Sequence, residues 1–506
     1  MHVLLALVWL LVVVTGLWGV KFGPHSDELT IINPARRAVL RATVVPHWYF
    51  YPSLCFDICL ASLIPDAAAL IISRPLSEFQ LSLFRRAAAQ SFVIRMRSVS
   101  VVITSLAMVW TYLLVLLWRK RAGEAILAAA ILGLSWETAY HGRFFTPDPI
   151  MMQFGALEMM FIVLSFVRAR RGGLFLRVAA LMAGLAAGSK YPGGALIVPV
   201  LVAHWFLSRQ EMKPFWLEAG VLCMVFFASF LATTPGIIHE FPLLVQELRQ
   251  EKHIYDKGFL YFAVSPGWGH FKKIVFYFMT AAFSKYVFIS VFFFAMAVIG
   301  WGALWKKDPR MAVVLSSFPL TFLGYFTLQA TFFPRFYLVV FPFAAIFAAE
   351  GCRVVQEKFF PSVRARHGFV AAISILLAIN ATWLVEAAHS IAVRGETNYL
   401  ADLRGFIAEN PRKTFLLSEG IRRQLTKAGG VPSNANARSS DPFDLAAVNS
   451  VEVVDWPYVG TGLTDRWFGP YEINFNYYPN FINFRIVLLP YKQAKRLSIF
   501  QTEPNR

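Results

Sequence analysis

The chain has 506 residues, 57% of them hydrophobic and only 15% charged, with a mean hydropathy of +0.53 and a formal charge of +18. Soluble proteins carry about 25% charged residues, so these figures exclude a single soluble core. They also exclude an intrinsically disordered chain and, with only four cysteines, a disulfide scaffold. A pI near 9.8 ordinarily points to nucleic acid, but it fits poorly with so much apolar sequence. What remains is an α-helical polytopic membrane protein in contact with lipid, its basic excess concentrated in cytoplasmic loops.

A membrane helix needs about 20 apolar residues to cross about 30 Å of hydrocarbon. The sequence predicts about eleven such helices, at 3–20, 98–118, 122–137, 149–167, 174–189, 191–207, 215–235, 282–304, 311–331, 336–350 and 368–388. No Lys or Arg precedes the first apolar run, and no small-x-small pattern precedes Lys21. The first segment is therefore expected to be an uncleaved helix rather than a signal peptide.

Charge sets the orientation. With a cytoplasmic N-terminus, the inner loops 118–121, 168–177, 208–214, 305–310 and 351–368 hold sixteen Lys and Arg. The short outer loops hold three, Arg143, Lys190 and Arg335. This is a positive-inside pattern, and an odd number of spans places the C-terminus outside an inner or plasma membrane.

Residues 1–390 thus form a membrane module with two large outer loops, 21–97 and 236–271. In the first, the apolar stretches 48–63, 67–72 and 79–84 are too short to span and are interleaved with arginines, as in helices lying in the interface plane. In the second, 246–258 is polar with helical character. From 391 to 506 no run is long enough to span. A helix from Thr397-Asn398 to Asn410-Pro411 and strands at 414–417, 451–454 and 484–489 predict a soluble α/β domain, with 431–447 as loop.

Polar residues gather on the outer side. His25-Ser26-Asp27-Glu28 follows the first span, Arg95 and Arg97 precede the second, and Arg143 and Asp148 lie between the third and fourth. Lys190-Tyr191 turns the fifth into the sixth, and Arg335 lies between the ninth and tenth. Paired acids at a membrane face suit a general base for an attacking hydroxyl. Isolated Lys and Arg at that depth suit a phosphate leaving group, whose charge grows as it departs. Apolar walls around both suggest a lipid-phosphate donor.

Each residue also has a plainer reading. Asp27 and Glu28 could cap a helix, Asp148 could cap the fourth span, and Arg335 could snorkel to headgroups. The small residues around Lys190 would let a ligand approach the backbone. Cys55 and Cys59 read as buried small hydrophobes. No HxxxH spacing supports zinc. No cofactor is called for, although the acids are compatible with a divalent cation.

Asp27-Glu28 after the first span, Tyr51-Pro52 in a long outer loop, Arg97-Ser98, Arg143 with Pro147-Asp148, Gly188-Ser189-Lys190-Tyr191 and Arg335 before Phe341-Pro342 resemble the GT-C glycosyltransferases. The branch resembled is that of protein O-mannosyltransferases and lipid A aminoarabinose transferases, over residues 1–350. Ser189 stands where that family often has Thr, and Phe336 where it often has Tyr.

The resemblance implies transfer of a sugar from a polyprenyl phosphate to an acceptor hydroxyl on the non-cytoplasmic side, with inversion. The acceptor, whether lipid, glycan or protein, is left open. It implies Asp27 as base, with Glu28 and Asp148 orienting acceptor or sugar. Lys190, Arg335 and Arg97 would hold the donor phosphate, and Tyr191, Arg143 and His25 would position substrate. The competing readings are a transporter or lipid flippase, which predicts charges near mid-membrane, and a scaffold displaying the C-terminal domain.

Overall fold

The structure, a computed structural model, describes residues 1–21, 26–211, 215–258 and 262–394, together with short pieces of the remainder at 404, 408–409, 414–417, 425–426, 430, 433, 435–437, 450–454, 467–471 and 498–502. It divides into two compact units. One is Met1–Val20 with Pro24–Val385; the other is Lys21–Gly23 with Glu386–Arg506.

The first unit is helical. Helix α1 (His2–Trp18) is followed by α2 (Ser26–Arg41), α3 (Leu54–Ser62), α4 (Ile64–Ser73) and α5 (Leu76–Ala88), which fill the first outer loop. Then come α6 (Gln90–Arg119), α7 (Ala122–Gly133), α8 (Trp136–Gly142), α9 (Pro147–Val167) and α10 (Gly172–Ser189). A 3₁₀ turn, Tyr191–Leu196, leads into α11 (Ile197–Glu211), then α12 (Phe215–Thr233). The second outer loop carries α13 (Phe241–Lys257) and α14 (Trp268–Tyr277). The unit closes with α15 (Val287–Lys307), α16 (Pro309–Thr327), a 3₁₀ segment Pro334–Val340, α17 (Phe341–Phe359) and α18 (Val363–Arg394).

Among the described residues, nine helical stretches are long and apolar enough to cross a membrane. Eight coincide with expected spans. The ninth, Leu54–Ser73, was expected to lie in the interface. It is two helices of 9 and 10 residues, because Leu63 ends α3 and Pro65 opens α4. At 1.5 Å per residue each half reaches only about 15 Å. Two expected spans, α1 and α7, are apolar but shorter than the rest. Helix α16, at the ninth expected span, is not among the nine; it carries Arg310 in its first turn and Pro319 inside. The eighth span begins at Val287 rather than 282, because Phe278–Ala282 winds as a π-turn ending α14.

Small residues let the central helices approach closely. A Cβ on Gly300 would lie 1.9 Å from the carbonyl oxygen of Phe347, and one on Gly351 would lie 1.8 Å from that of Met296, so α15 and α17 meet backbone to backbone. Gly188 and Gly193, expected to make room for a ligand, serve the same end. Their Cβ atoms would fall 2.2 Å from Thr233 Oγ1 and 2.5 Å from the Ala186 carbonyl oxygen.

In the second unit the described residues include β1 (Thr414–Leu417), β2 (Ala435–Ala437), β3 (Ser450–Val454), β4 (Trp467–Tyr471) and β5 (Ser498–Thr502), ordered β2-β1-β3-β5-β4. β1 pairs parallel with β2 and β3, whereas β5 pairs antiparallel with β3 and β4. β2 lies inside 431–447, expected as loop. The strand expected at 484–489 lies outside the described residues, as does most of the helix expected from Thr397.

Candidate active site

Ion pairs bring the starts of α2 and α9, the first turns of α6, the end of α10 and the start of the Pro334–Val340 segment together. Asp27 and Glu28 stand in the first turn of α2 and Asp148 in the first turn of α9. A helix N-terminus favours a negative charge there. The N-cap of α9 is Thr146 rather than Asp148, and all three carboxylates reach bases.

Asp27 pairs with Nη1 of Arg335. Arg335 Nε lies 3.6 Å from Asp148 Oδ2. Lys190 Nζ donates to Asp148 Oδ1 at 2.6 Å and stands 3.7 Å from the centre of the Phe336 ring, within cation–π range. The four groups thus form a chain, Asp27–Arg335–Asp148–Lys190. Its inner end is sealed, with Lys190 and Asp148 1% and 2% exposed, while Arg335 and Asp27 are 20% and 23% exposed. Buried ion pairs contribute little net stability. Buried charges in an apolar bundle mark function unless a structural role explains them.

Glu28 and Arg97 have that structural role. Arg97 is fully buried and grips Glu28 with Nε to Oε1 at 2.9 Å and Nη2 to Oε2 at 2.7 Å, while its Nη1 donates to the Val20 carbonyl oxygen at 3.0 Å. Glu28 Oε1 also accepts from the Phe145 backbone N–H at 3.1 Å. This clamp fixes α2 against α6 and the loop before α9. It holds the start of α2, with Asp27, in place, and the Arg97 guanidinium expected to hold the donor phosphate is engaged by Glu28 and the Val20 carbonyl oxygen.

Two other expected positioning residues brace the surroundings. Tyr191 donates to the Tyr49 carbonyl oxygen at 2.7 Å. Arg143 is buried and donates to the Thr15 carbonyl oxygen at 3.2 Å, securing the end of α1. His25 lies outside the described residues. Among the described residues, no group of three or more His, Cys, Asp and Glu converges as a metal site. Cys55 and Cys59 are buried in the apolar core.

The structure adds residues that the sequence reading missed. Glu251 of α13 is 7% exposed, accepts from Tyr255 Oη at 3.0 Å and interacts electrostatically with Lys190 and Asp148. Burial pushes its carboxyl up to about 7, opposed by the nearby Lys190. Tyr51 feels Asp27, Arg335 and Asp148 together, and burial raises its hydroxyl above the ordinary value. Tyr140 sits beside the same pair of Asp27 and Arg335. The available signal was periodicity, since Glu247, Glu251 and Tyr255 recur every four residues on one face of the polar stretch.

Among solved structures, ArnT from Cupriavidus metallidurans bound to undecaprenyl phosphate superposes with a TM-score of 0.51 at 13% identity, over 99% of this chain and 97% of that one. The archaeal oligosaccharyltransferase AglB from Archaeoglobus fulgidus, in complex with an inhibitory peptide and a dolichol-phosphate, superposes with a TM-score of 0.50 at 11% identity. That match covers 87% of this chain and 64% of AglB. At these identities the likeness is one of fold, and the fold is that of the GT-C membrane glycosyltransferases. Within it, residues 75–233 match the family described as dolichyl-phosphate-mannose-protein mannosyltransferase. No curated protein sequence matches the chain.

Proposed function

We propose that the chain is an inverting glycosyltransferase that moves one sugar from a polyprenyl phosphate to an acceptor hydroxyl on the non-cytoplasmic side of an inner or plasma membrane. The observation that carries this reading is the Asp27–Arg335–Asp148–Lys190 chain, drawn from four distant segments to one face of a GT-C bundle. Without substrate the two acids satisfy the two bases. An arriving donor phosphate competes for Arg335 and Lys190, and Arg335 then releases Asp27.

Asp27 takes the proton from the acceptor hydroxyl as its oxygen attacks the anomeric carbon. The bond from that carbon to the phosphate oxygen breaks, and polyprenyl phosphate leaves with the electron pair, its charge met by Lys190 and Arg335. Asp148 keeps the two bases at fixed spacing. A single in-line displacement inverts the anomeric carbon. Residues 391–506 are assigned as an α/β domain outside the membrane, with the N-terminus cytoplasmic. No step as written requires a metal ion, and a divalent cation, which Asp27 and Asp148 would hold and which would supply further charge against the donor phosphate, is tested by chelation.

The deciding experiment presents the purified chain with a panel of polyprenyl-phosphate sugars and follows loss of the sugar and the anomeric configuration of the product. Transfer from one donor, abolished in Asp27→Asn, is expected. Full transfer in Asp27→Asn overturns the base assignment, and movement of intact lipid without transfer supports a flippase instead.

A further inference from the structure

On the face opposite the candidate active site, a cavity of about 600 Å³ opens between α1, α7, α17 and α18. Its walls are apolar stripes, among them Leu4 and Val8 of α1, Leu127 and Ala130 of α7, and Ile373 and Leu377 of α18. Helix α18 is tied to the bundle on either side of this cavity. At the end nearer Ala381, Trp383 meets Trp136 edge to face at 6.2 Å, and Asn380 bonds Ser284 and Phe283. At the other end Phe369 stacks on Phe360 at 4.8 Å. Between these ties the helices do not close on one another.

The dimensions and charge of the gap identify its occupant. The lining of α18 runs from Phe369 to Ala381, about 18 Å along a helix axis. That is close to the depth of one leaflet, half of about 30 Å. Only one end is charged, where Arg121, Glu124, Arg353 and Gln356 line it. They belong to an ion cluster in which Arg119, Arg121, Lys307 and Arg353 meet Glu124, Glu350 and Glu357, leaving one positive charge over. Arg121 pairs with Glu357 through Nη1 at 3.0 Å, but both side chains are well exposed, 56% and 44%, and such a pair is weak, so its guanidinium keeps donors for a phosphate.

We infer that this groove is a binding site for an anionic phospholipid of the leaflet opposite the active site, with an acyl chain between α18 and the bundle and its phosphate on Arg121. A polyprenyl chain is longer than one leaflet and would not be contained.

The test is native mass spectrometry of the full chain extracted from nanodiscs of equal phosphatidylglycerol and phosphatidylcholine. Phosphatidylglycerol is expected to be retained at least ten-fold over phosphatidylcholine. Arg121→Gln is expected to abolish that preference, and Ala378→Trp, on the exposed side of the lining, to lower retention of both lipids several-fold. Equal retention of the two lipids by the unaltered chain overturns the inference. So does unchanged retention in Ala378→Trp, or displacement of phosphatidylglycerol by added polyprenyl phosphate.

Discussion

Asp27 and Glu28 are neighbours on one helical turn with opposite expected fates when neutralised. Glu28 and Arg97 are 1% and 0% exposed and joined by two parallel hydrogen bonds. Changing one partner leaves the other charge buried and uncompensated, at a cost of about 3–5 kcal/mol. Arg97→Gln or Glu28→Gln should therefore lower the thermal unfolding midpoint markedly. The double substitution should recover most of the loss, because two neutral amides of similar shape can bond each other. Asp27 is 23% exposed, and Asp27→Asn preserves its volume, so stability should change by less than about 1 kcal/mol. Transfer, however, should fall by about 10²- to 10⁴-fold with the loss of the base. The assay pairs thermal unfolding in detergent with turnover of a labelled polyprenyl-phosphate sugar. A well-folded Glu28→Gln variant that has lost only kcat, or a destabilised Asp27→Asn variant that still turns over, would refute this division of roles.

Other expectations follow from the same geometry. The Glu251 carboxyl sits near 7, above the ordinary 4.5, so the folded chain keeps this proton over a range where the unfolded chain has lost it. Its contribution to stability should decline as pH rises from about 4.5 to 7 and stay level above that. Loss of the same proton adds a negative charge beside Lys190, so the KM for the donor should rise through pH 7 and Glu251→Gln should flatten that rise. Arg353 meets Glu124, Glu350 and Glu357, and Arg353→Ala should destabilise by about 3–5 kcal/mol while kcat in the folded fraction holds. Glu158 is fully buried inside α9 and finds no hydrogen-bond partner among the described residues. Glu158→Leu should raise the unfolding midpoint and leave transfer intact; lost transfer would mark this carboxyl as functional.

The membrane module was legible because its signal is long-range and redundant. Eighteen or more apolar residues leave little choice but a helix in lipid, and eight of the nine long stretches lie where hydropathy places them. Leu54–Ser73 shows why hydropathy alone is not enough: the stretch is apolar enough to count as a span, yet it is two short helices meeting at Leu63, in line with the short interfacial helices expected from the sequence. Asp27, Asp148, Lys190 and Arg335, which the fold joins in one chain of ion pairs, could be grouped beforehand because sidedness can be counted along a sequence. The pairing of Arg97 with Glu28 could not be foreseen, because sequence gives the side of the membrane on which a guanidinium lies but not its partner, and Glu28, 69 residues away, is out of range of any spacing rule. Glu251 was missed for the opposite reason, since a charged residue in a polar amphipathic helix looks like a solvated face until the fold buries it.

The bundle carries buried ions at both ends, and exposure together with connectivity separates their roles. In the cluster around Glu350 each central group has several partners. Glu350 meets Arg119, Lys307 and Arg353, and is itself 2% exposed. The buried members, Arg119, Glu124, Glu350 and Arg353, cannot change partner without stranding another, so they work as a fixed clasp between α6, α7 and α17, with the exposed Arg121 at its edge. At the candidate active site the chain ends in groups open to solvent, Asp27 and Arg335. Two acids facing two bases leave no net charge to hold a substrate, but they can exchange partners. A phosphate that displaces Asp27 from Arg335 and adds to Lys190, whose ammonium keeps its contact with buried Asp148, replaces a carboxylate contact with a phosphate contact of the same kind. The same exchange frees the carboxylate that the reaction needs. In the proposed mechanism, a site neutral at rest therefore gains its base only when the donor is seated.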